Sequence, residues 1–417
     1  MTVRSAFFEW FTANRSRIHP RLNRVIDDTT DFMRRVIFAP VKSVQVNLTS
    51  QSFPPQAAVP TAKSRLLIAP MNFAGQGHAW AQAVNLHLEN VAATNLSIRR
   101  SNDFGFTSGA TVPYSIQRYH REWQRRESAY ILRTFTHVLV EAESAIFGNL
   151  FENSTERERL FFAESGVSTA YVCHGSDIRS PEKHRATTRF SPFADANAYN
   201  ARTQRRVDRN RTFLEGSRSP VFLSTPDLVN DYPRGVWLPV VIDFLRWSGS
   251  VIKCNQGDRD MTGVPPLVVH TPSSQRVKGS HLIEAPIERL VRNNVIRYHS
   301  LTGVSSMEVQ QAVFGAAIVL DQFRLGSYGV AACEAMAAGK VVVGHVTPQV
   351  RQYVTQQTGM ELPIVEADPE TIAQVLAELA TDPDRMHILG CRGQEFVANV
   401  HAGELSAQIL QQHWLHR

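Results

Sequence analysis

The chain has 417 residues, of which 43% are hydrophobic and 20% are charged, and its formal net charge is +6. That length is enough for two domains with separate cores. No apolar run approaches the roughly 20 residues that cross a bilayer, so the composition indicates a soluble globular protein and excludes one built on membrane spans.

The first 63 residues are predicted to form a basic, partly helical extension that ends in a Ser/Gln/Pro/Ala-rich linker. They contain nine Lys/Arg and four Asp/Glu, and therefore carry +5 of the net +6. The other 354 residues are nearly neutral, which argues against a nucleic-acid partner. Two interpretations of the segment "AFFEWF" stay open: peripheral contact with an anionic membrane, or packing on the body of the protein.

The cysteines and the N-terminus together favour the cytoplasm. Cys173, Cys254, Cys333 and Cys391 are widely spaced and form no CxxC pair, which argues against a zinc site and against a disulfide framework. Cys173 and Cys333 lie within apolar runs and are predicted to be core residues. The first apolar stretch is interrupted by charged residues, so it is a poor signal peptide.

A first series of strands and helices begins at residue 64. Continuous apolar runs predict strands at 65–72, 137–142, 169–174, 220–225 and 235–241. A Gly-containing turn, "FAGQGH", follows the first strand and leads into the helical stretch "AWAQAVNLHLENV". Further helices are predicted at 115–134 and 151–165.

A second series follows a break near 245–263. Strands are predicted at 265–272, 294–300, 316–321, 340–346 and 362–367, and helices at 280–292, 306–314, 329–338 and 369–381. Apolar strands that alternate with helices are typical of parallel sheets covered on both faces. The sequence therefore predicts an α/β protein with two Rossmann-like domains.

The predicted boundaries divide the chain into five parts. They are an extension at 1–63, an N-terminal Rossmann-like domain at 64–245, a linker at 246–262, a C-terminal Rossmann-like domain at 263–395 and a final helix at 396–417. That helix is expected to cross back to the first domain.

Polar residues follow several predicted strands, at the edge where open α/β sheets bind ligands. They are Asn72 with Gly75 and Gly77, His174 with Ser176 and Asp177, His270 with Thr271, and Asp321. Arg276 and Lys278 stand near a helix start, where cations suit a phosphate or pyrophosphate.

The stretch "GSYGVAACEAMAAGK" adds a glycine-rich loop and one acid on a helix of small residues. Glycines let the backbone approach a ligand and leave amide groups free to donate. Glu334 stands about one turn into the helix, where a carboxylate can accept hydrogen bonds from a sugar diol. Cations for a diphosphate, a glycine-rich helix start and a diol-binding acid together predict a nucleotide-sugar site.

These motifs resemble a known family. "HTPSSQRVKGSHLIEAPIERL" and "GSYGVAACEAMAAGKVVVG" resemble the C-terminal domain of retaining GT-B glycosyltransferases, the large family that contains sucrose synthases and phosphatidylinositol mannosyltransferases and is called bacterial group 1. "PMNFAGQGHAWAQAV" and "STPDLVNDYPRGVWLPVVIDF" resemble further parts of it, and the match spans roughly residues 64–400. The resemblance implies a GT-B fold, in which two Rossmann-like domains face each other across a cleft.

The resemblance also implies roles for individual residues. It assigns the donor diphosphate to Arg276 and Lys278, with help from Gly75 and Gly77, and the nucleotide ribose to Glu334. The donor sugar would contact Gly326, Ser327, Tyr328 and Gly329, and His174 would be catalytic. Asp321 is predicted as a second catalytic residue, as a substitute for an acid that the family has and this chain lacks. The family generally needs no metal or other cofactor, retains anomeric configuration and uses a nucleotide-diphosphate sugar with a carbohydrate, lipid-linked or small-molecule acceptor.

One position departs from the family pattern. The family has an acid eight residues before the ribose-binding Glu, and this chain has Gly326 there. Two hypotheses therefore remain: a glycosyltransferase that recognises the sugar through other groups, and a catalytically silent GT-B protein that binds a nucleotide sugar or a partner enzyme. A same-fold epimerase or phosphorylase is a third, although a phosphorylase needs a pyridoxal phosphate lysine that cannot be placed.

A run of arginines also has two interpretations. Arg202, Arg205, Arg206 and Arg209 recur at helical spacing. They form either a solvated helix face, which is the commoner case, or a basic stripe that contacts an anionic acceptor or membrane.

Overall fold

The structure, a computed structural model, describes residues 53–100, 105–195, 198–248 and 264–416. The predicted membrane contact of the basic extension and most of the predicted linker lie outside the described residues. None of the described helices is both long and apolar enough to cross a membrane.

The N-terminal half is built on a parallel sheet of seven strands. They are β1 (Ser64–Ala69), β2 (Val91–Arg99), β3 (Ala110–Pro113), β4 (His137–Glu141), β5 (Ser168–Cys173), β6 (Val221–Leu223) and β7 (Val236–Trp237). Their order across the sheet is β3-β2-β1-β4-β5-β6-β7, with every neighbouring pair parallel. The order reverses between β1 and β4, which is where such sheets bind ligands.

Helices and apolar clusters cover both faces of this sheet. The helices are α1 (Gln76–His87), α2 (Tyr114–Tyr119), α3 (Arg121–Thr134), α4 (Thr155–Glu164), α5 (Pro181–Thr187) and α6 (Ala198–Ser217). The next helix, α7 (Phe244–Ser248), packs instead in an apolar cluster of the C-terminal half. Side chains that alternate along β1 enter different clusters: Leu67 and Ala69 enter one, and Leu66 and Ile68 the other. Alternation of this kind explains why the strand is apolar along its whole length.

The C-terminal half contains a second parallel sheet. Its strands are β8 (Leu267–His270), β9 (Arg297–Ser300), β10 (Ile318–Leu320), β11 (Val341–Gly344) and β12 (Val365–Glu366), in the order β12-β11-β10-β8-β9. The strand order of this sheet reverses between β8 and β10. The prediction of an α/β protein with two Rossmann-like domains is thereby confirmed.

Eight of the helices described belong to this half and alternate with its strands or follow them. They are α8 (Gln275–Lys278), α9 (Ser280–Arg292), α10 (Ser306–Gly315), α11 (Val330–Ala337), α12 (Pro348–Thr358), α13 (Ile372–Ala380), α14 (Pro383–Val400) and α15 (Glu404–Leu410). The domain boundary predicted at residue 395 lies inside α14, which continues to Val400.

The last helix packs on the N-terminal half of the chain. Ala407, Leu410 and Trp414 are buried in the apolar cluster that also contains Leu66 and Ile68 of β1. The Trp414 indole N–H donates to the Ser168 hydroxyl at 2.8 Å. The first and the last of the described elements therefore lie in the same half.

The segment that precedes β1 also packs on the N-terminal half. Ala57 is buried in the core, and its carbonyl accepts a 2.9 Å hydrogen bond from the Tyr130 hydroxyl. Phe53 stacks edge-on against His120 at 5.1 Å between ring centroids. The end of the predicted linker is thus part of the first domain's surface.

Two predictions about the N-terminal half were wrong. The helix predicted to continue to Val91 ends at His87, and Val91 begins strand β2. Asn90 has a φ of 60° and turns the chain between the two. The strand was missed because "VAATNLSIR" mixes small and polar residues, although most of it is buried.

Candidate functional site

A cavity of about 990 Å³ lies at the carboxyl edge of the N-terminal sheet. Residues that follow β1, β4, β5 and β6 line it, and the C-terminal half contributes Gly329 and Val330 at the start of α11. The volume is within the range of sites that enclose a small ligand, roughly 300–1,000 Å³. The cavity is therefore a cleft between the two halves.

The loop after β1 is held in an uncommon conformation. Asn72 has a φ of 57° and Gly75 a φ of 76°, both in the left-handed region that glycine and asparagine tolerate best. The Asn72 side chain accepts from the His78 N–H at 3.0 Å and donates to the Thr107 carbonyl at 2.9 Å. The Gly75 N–H donates to the Asn72 carbonyl at 3.1 Å, so this amide already has a hydrogen-bond acceptor within the loop.

Glu141, at the end of β4, supports that loop from below. The side chain is fully buried, and its Oε2 accepts from the N–H groups of Met71 and Asn72, both at 2.9 Å. A Cβ at Gly77 would lie 3.2 Å from the same oxygen, so glycine makes room for the carboxylate. The predicted phosphate contacts of Gly75 and Gly77 stay predictions.

His174 stands at the end of β5, where a tight turn fixes its backbone. Asp177 accepts from the His174 N–H at 2.8 Å and from the Gly175 N–H at 2.6 Å. Gly175 has a φ of 133°, which side chains rarely allow. The sequence "HGSD" thus forms a turn that the Asp177 carboxylate stabilises.

The His174 ring lies in the cavity wall beside Glu141. Its Nε2 is 3.4 Å from Glu141 Oε1, and both atoms are buried without a hydrogen bond in the described part of the chain. The ring packs 5.2 Å from that of Phe73 and 5.7 Å from that of Trp80. A catalytic role for His174 stays a prediction, now with a buried acid beside it that sequence analysis missed.

A second acid, the partly buried Glu143, lines the cavity. Cys173 donates to its Oε1 and Asn210 to its Oε2, both at 3.0 Å. Burial raises the pKa of Glu143 well above its usual value, and Asp177 adds to the rise. Ligand atoms of Glu143, Cys173 and Asp177 lie within 4.8 Å of one another and could hold a cation, but hydrogen bonds already engage all three.

The C-terminal half brings together Lys278, Asp321 and Glu334. Lys278 Nζ forms a 2.7 Å ion pair with Asp321 Oδ1, and both side chains are mostly buried. Burial raises the pKa of Glu334 to about 7, against the opposing charges of Arg246 and Lys278. No described residue donates a hydrogen bond to the Glu334 carboxylate, whereas Asp321 accepts one from Lys278.

Arg276 contacts the opposite half of the chain. Its guanidinium donates to the Pro192 carbonyl at 2.8 Å and lies 3.4 Å from Asp195 Oδ2. Arg324, which sequence analysis missed, forms a two-point ion pair with Asp195 at 2.8 and 3.0 Å. The segment 190–195 thus bridges the halves, and the predicted diphosphate role of Arg276 stays a prediction.

The loop that precedes α11 has a rigid, internally bonded shape. The Gln322 carbonyl oxygen Oε1 accepts from the N–H groups of Arg324 and Leu325, at 3.1 and 2.6 Å. Tyr328 is buried in the core, with its hydroxyl 3.3 Å from His401 Nε2. Ser327 is also buried. A sugar contact from these two residues would therefore come from their backbone.

Gly326 adopts a conformation that excludes the acid expected at its position. Its φ is 68°, and a Cβ there would lie 2.6 Å from Thr347 Cγ2. The Thr347 N–H donates to the Gly326 carbonyl at 3.0 Å, which holds the two segments together. A side chain at residue 326 would require the loop or α12 to move.

Comparisons with known proteins find likeness at the level of the fold. No family model matches the sequence, and no curated protein matches it. The sucrose-phosphate synthase of Thermosynechococcus elongatus superposes with a TM-score of 0.53 at 14% identity, over 84% of this chain and 98% of that one. The catalytic domain of Arabidopsis thaliana starch synthase IV, bound to ADP and acarbose, gives 0.53 at 9%, over 85% and 99%.

Both likenesses span the two sheets and the cleft between them. Together with the strand orders, they confirm the fold class that the sequence predicts. The chain has the GT-B fold, with two Rossmann-like domains that face each other across a cleft.

Proposed function

We propose that this protein is a glycosyltransferase that moves a sugar from a nucleotide-diphosphate sugar to an acceptor, with retention of anomeric configuration. The observation that carries the proposal is the Glu334 carboxylate. It is largely buried, its pKa is about 7, and no described residue donates to it. An unpaired buried carboxylate is costly, and the hydroxyl pair of a nucleotide ribose would supply the donors that it lacks.

The surrounding groups suit the remainder of such a donor. Lys278 lies close enough for its charge to lower the pKa of Glu334, so a cation and a diol-binding acid share one site. Lys278 and Arg276 would hold the diphosphate, a task that needs no metal when cations neutralise the leaving group. The first amides of α11 face the same cleft, where a helix N-terminus favours anions.

His174 and Asp321 are the catalytic candidates. His174 would contact the donor sugar near the reacting carbon, because it lines the cavity together with Gly329. Asp321 would hold Lys278 in place through their 2.7 Å ion pair. Gly326 and Gly329 would present backbone groups to the sugar, and the leaving phosphate would assist removal of the acceptor proton during front-face attack.

A second candidate function is a catalytically silent protein that binds a nucleotide sugar. The conformation of Gly326 favours it, because the loop leaves no space for the sugar-binding acid of related enzymes. Turnover separates the two functions, since only an enzyme hydrolyses or transfers its donor.

The test offers a panel of nucleotide sugars to the wild type, to Glu334→Ala and to Glu395→Ala, an exposed control on α14. We expect one donor to bind and to be slowly hydrolysed. Glu334→Ala should weaken its binding by about 1.5–3 kcal/mol, the contribution of hydrogen bonds to a charged group, and the control should not.

Two outcomes would contradict the proposal. Binding without hydrolysis or transfer to any candidate acceptor would favour the silent protein. Equal donor affinity in Glu334→Ala and wild type would remove Glu334 from the site.

A further inference from the structure

The wall of the cavity contains four arginines that pair with no acid among the described residues. They are Arg100 after β2, Arg118 on α2, and Arg206 and Arg209 on α6. In the described parts of the chain, none of the four forms an ion pair with a carboxylate. Four cations around one cavity repel one another, so their placement has a cost that an anionic ligand would remove.

Two of the arginines are positioned by neighbours that leave their charge uncompensated. Arg206 donates to the Ser176 carbonyl at 2.6 Å, within the turn that also fixes His174. The Arg100 guanidinium lies 4.7 Å from the centre of the Tyr114 ring. A carbonyl and an aromatic face orient a guanidinium but do not neutralise it.

The acids that line the same cavity do not cancel this charge. Asp177 uses its carboxylate to accept backbone N–H groups of the turn after β5. Glu156 forms a 2.7 Å ion pair with Arg159 of its own helix. Burial raises the pKa of Glu143 well above its usual value, which favours its neutral form. The four arginines outnumber the three acids of the lining, so the cavity has a net positive charge even when all three acids are ionised.

From the placement of these arginines we propose that the cavity binds a phosphate-bearing acceptor. The proposal rests on the proposed function and names its second substrate by class. The oxygens of a phosphate group can accept hydrogen bonds from several guanidinium groups at once. A carboxylate carries a single charge and suits one guanidinium group. The phosphate would lie near α6 and α2, and the sugar or alcohol that it carries would extend toward His174 and Gly329.

This placement also separates the arginine run of α6 into two groups. Arg206 and Arg209 line the cavity, while Arg205 on the same helix is exposed and does not. Arg205 is therefore a control with the same side chain on the same helix.

Binding is tested by calorimetry with glucose 6-phosphate and, separately, octyl phosphate, against glucose and octanol. We expect at least one phosphate probe to bind, its uncharged partner to bind far more weakly, and the affinity to fall as salt is raised. Glucose 6-phosphate as the better probe indicates a soluble acceptor, and octyl phosphate as the better probe indicates a lipid-linked one. Either outcome supports the proposal.

The variants are Arg209→Gln, Arg118→Gln and the control Arg205→Gln. We expect each of the first two to weaken phosphate binding roughly 10-fold, because each removes a charge-assisted hydrogen bond. The control should bind like the wild type, and unchanged melting temperatures would show that the variants fold.

Three results would overturn the proposal: equal binding of glucose and glucose 6-phosphate, equal losses in Arg205→Gln and Arg209→Gln, or loss in Lys278→Gln alone, which would place the phosphate in the donor site. All of these measurements proceed without a nucleotide sugar. A failure here is therefore distinct from a failure of the donor panel.

Discussion

In the candidate donor site, the ionisation of Glu334 is the one that we expect to affect nucleotide binding. Of the site's two acids, Asp321 accepts a hydrogen bond from Lys278, whereas Glu334 accepts none from a described residue, and burial raises the pKa of Glu334 from 4.5 to about 7. Because the native state holds this proton more tightly than the unfolded chain, the contribution of Glu334 to the free energy of unfolding falls as pH rises from about 4.5 to about 7. A bound diol would lower the pKa of Glu334 again, because its hydroxyl groups donate hydrogen bonds to the ionised carboxylate.

Nucleotide affinity should therefore depend on pH through Glu334. We expect the dissociation constant of the nucleoside diphosphate to be lowest above pH 7 and to rise by up to about tenfold per pH unit below it, as the carboxylate is protonated. Glu334→Gln cannot ionise and should lose this component. Calorimetry from pH 5.5 to 8.5 measures both proteins.

Subtraction of the Glu334→Gln profile removes the titration of the nucleotide phosphates themselves. Parallel profiles in the two proteins would show that the carboxylate does not contact the nucleotide.

At the scale of elements, the loop before α11 is locked to the start of α12. Gly326 and Thr347 are linked by a backbone hydrogen bond of 3.0 Å, and the Thr347 hydroxyl caps α12 by accepting from the Val350 N–H at 3.4 Å. The departure from the family at residue 326 is therefore part of how two elements pack. An acid at residue 326 would have to adopt a left-handed backbone and displace the Thr347 methyl group.

Gly326→Ala should destabilise the protein through two separable effects. The left-handed backbone costs about 1–2 kcal/mol for a residue with a Cβ, and the contact with Thr347 Cγ2 adds about 1–3 kcal/mol of overpacking. Gly359→Ala is the matched control, because Gly359 has a φ of 71° and open space around it. Urea unfolding measures each variant.

Thr347→Ser distinguishes the two effects, because it removes the methyl group and keeps the capping hydroxyl. We expect Gly326→Ala with Thr347→Ser to approach the loss seen in Gly359→Ala. If the second substitution recovers no stability, the steric explanation for Gly326 is wrong.

At the scale of the whole molecule, ion pairs across the cleft hold the two halves together. Arg324 is almost completely buried and pairs with Asp195, which is 39% exposed. Arg324 also donates to the carbonyls of Phe190 and Ser191, each at 2.8 Å. A second pair, Arg189 with Glu370, joins the halves at the surface, where its side chains are 69% and 55% exposed.

Asp195→Ala should loosen the closed arrangement. It leaves the buried Arg324 charge without its acid, and we expect a loss of about 1–3 kcal/mol, less than for a fully buried pair because solvent reaches Asp195. The radius of gyration from small-angle scattering should increase as the cleft opens. Arg189→Ala, the exposed counterpart, should cost less than about 1 kcal/mol.

A donor that binds between the halves should restore compactness in Asp195→Ala. If Asp195→Ala and Arg189→Ala have equal effects on stability and radius, then the buried pair does not hold the cleft closed.

Much of this organisation could be predicted because its causes are local in the chain. Ten strands were recognised from continuous apolar runs, and each corresponds to a strand of the structure. The two-domain α/β fold followed from their alternation with helices. The proximity of Lys278 to Glu334 could be anticipated because each belongs to a short motif that follows a strand.

The tertiary structure decided the parts of the site that depend on distant residues. Glu141 supports a loop 70 residues earlier in the chain, and Arg324 binds an aspartate 129 residues away. Nothing in the local sequence marks either side chain as functional, since each is one charged residue near a strand end.

The chain by itself therefore determined which elements form and which residues stand at the carboxyl ends of the strands, because propensity, burial pattern and motif spacing act over a few residues. Only the folded structure decided that Gly326 has no room for an acid, that Tyr328 points into the core and that four arginines surround one cavity. Those facts depend on steric contacts and charges between segments that are far apart in the sequence.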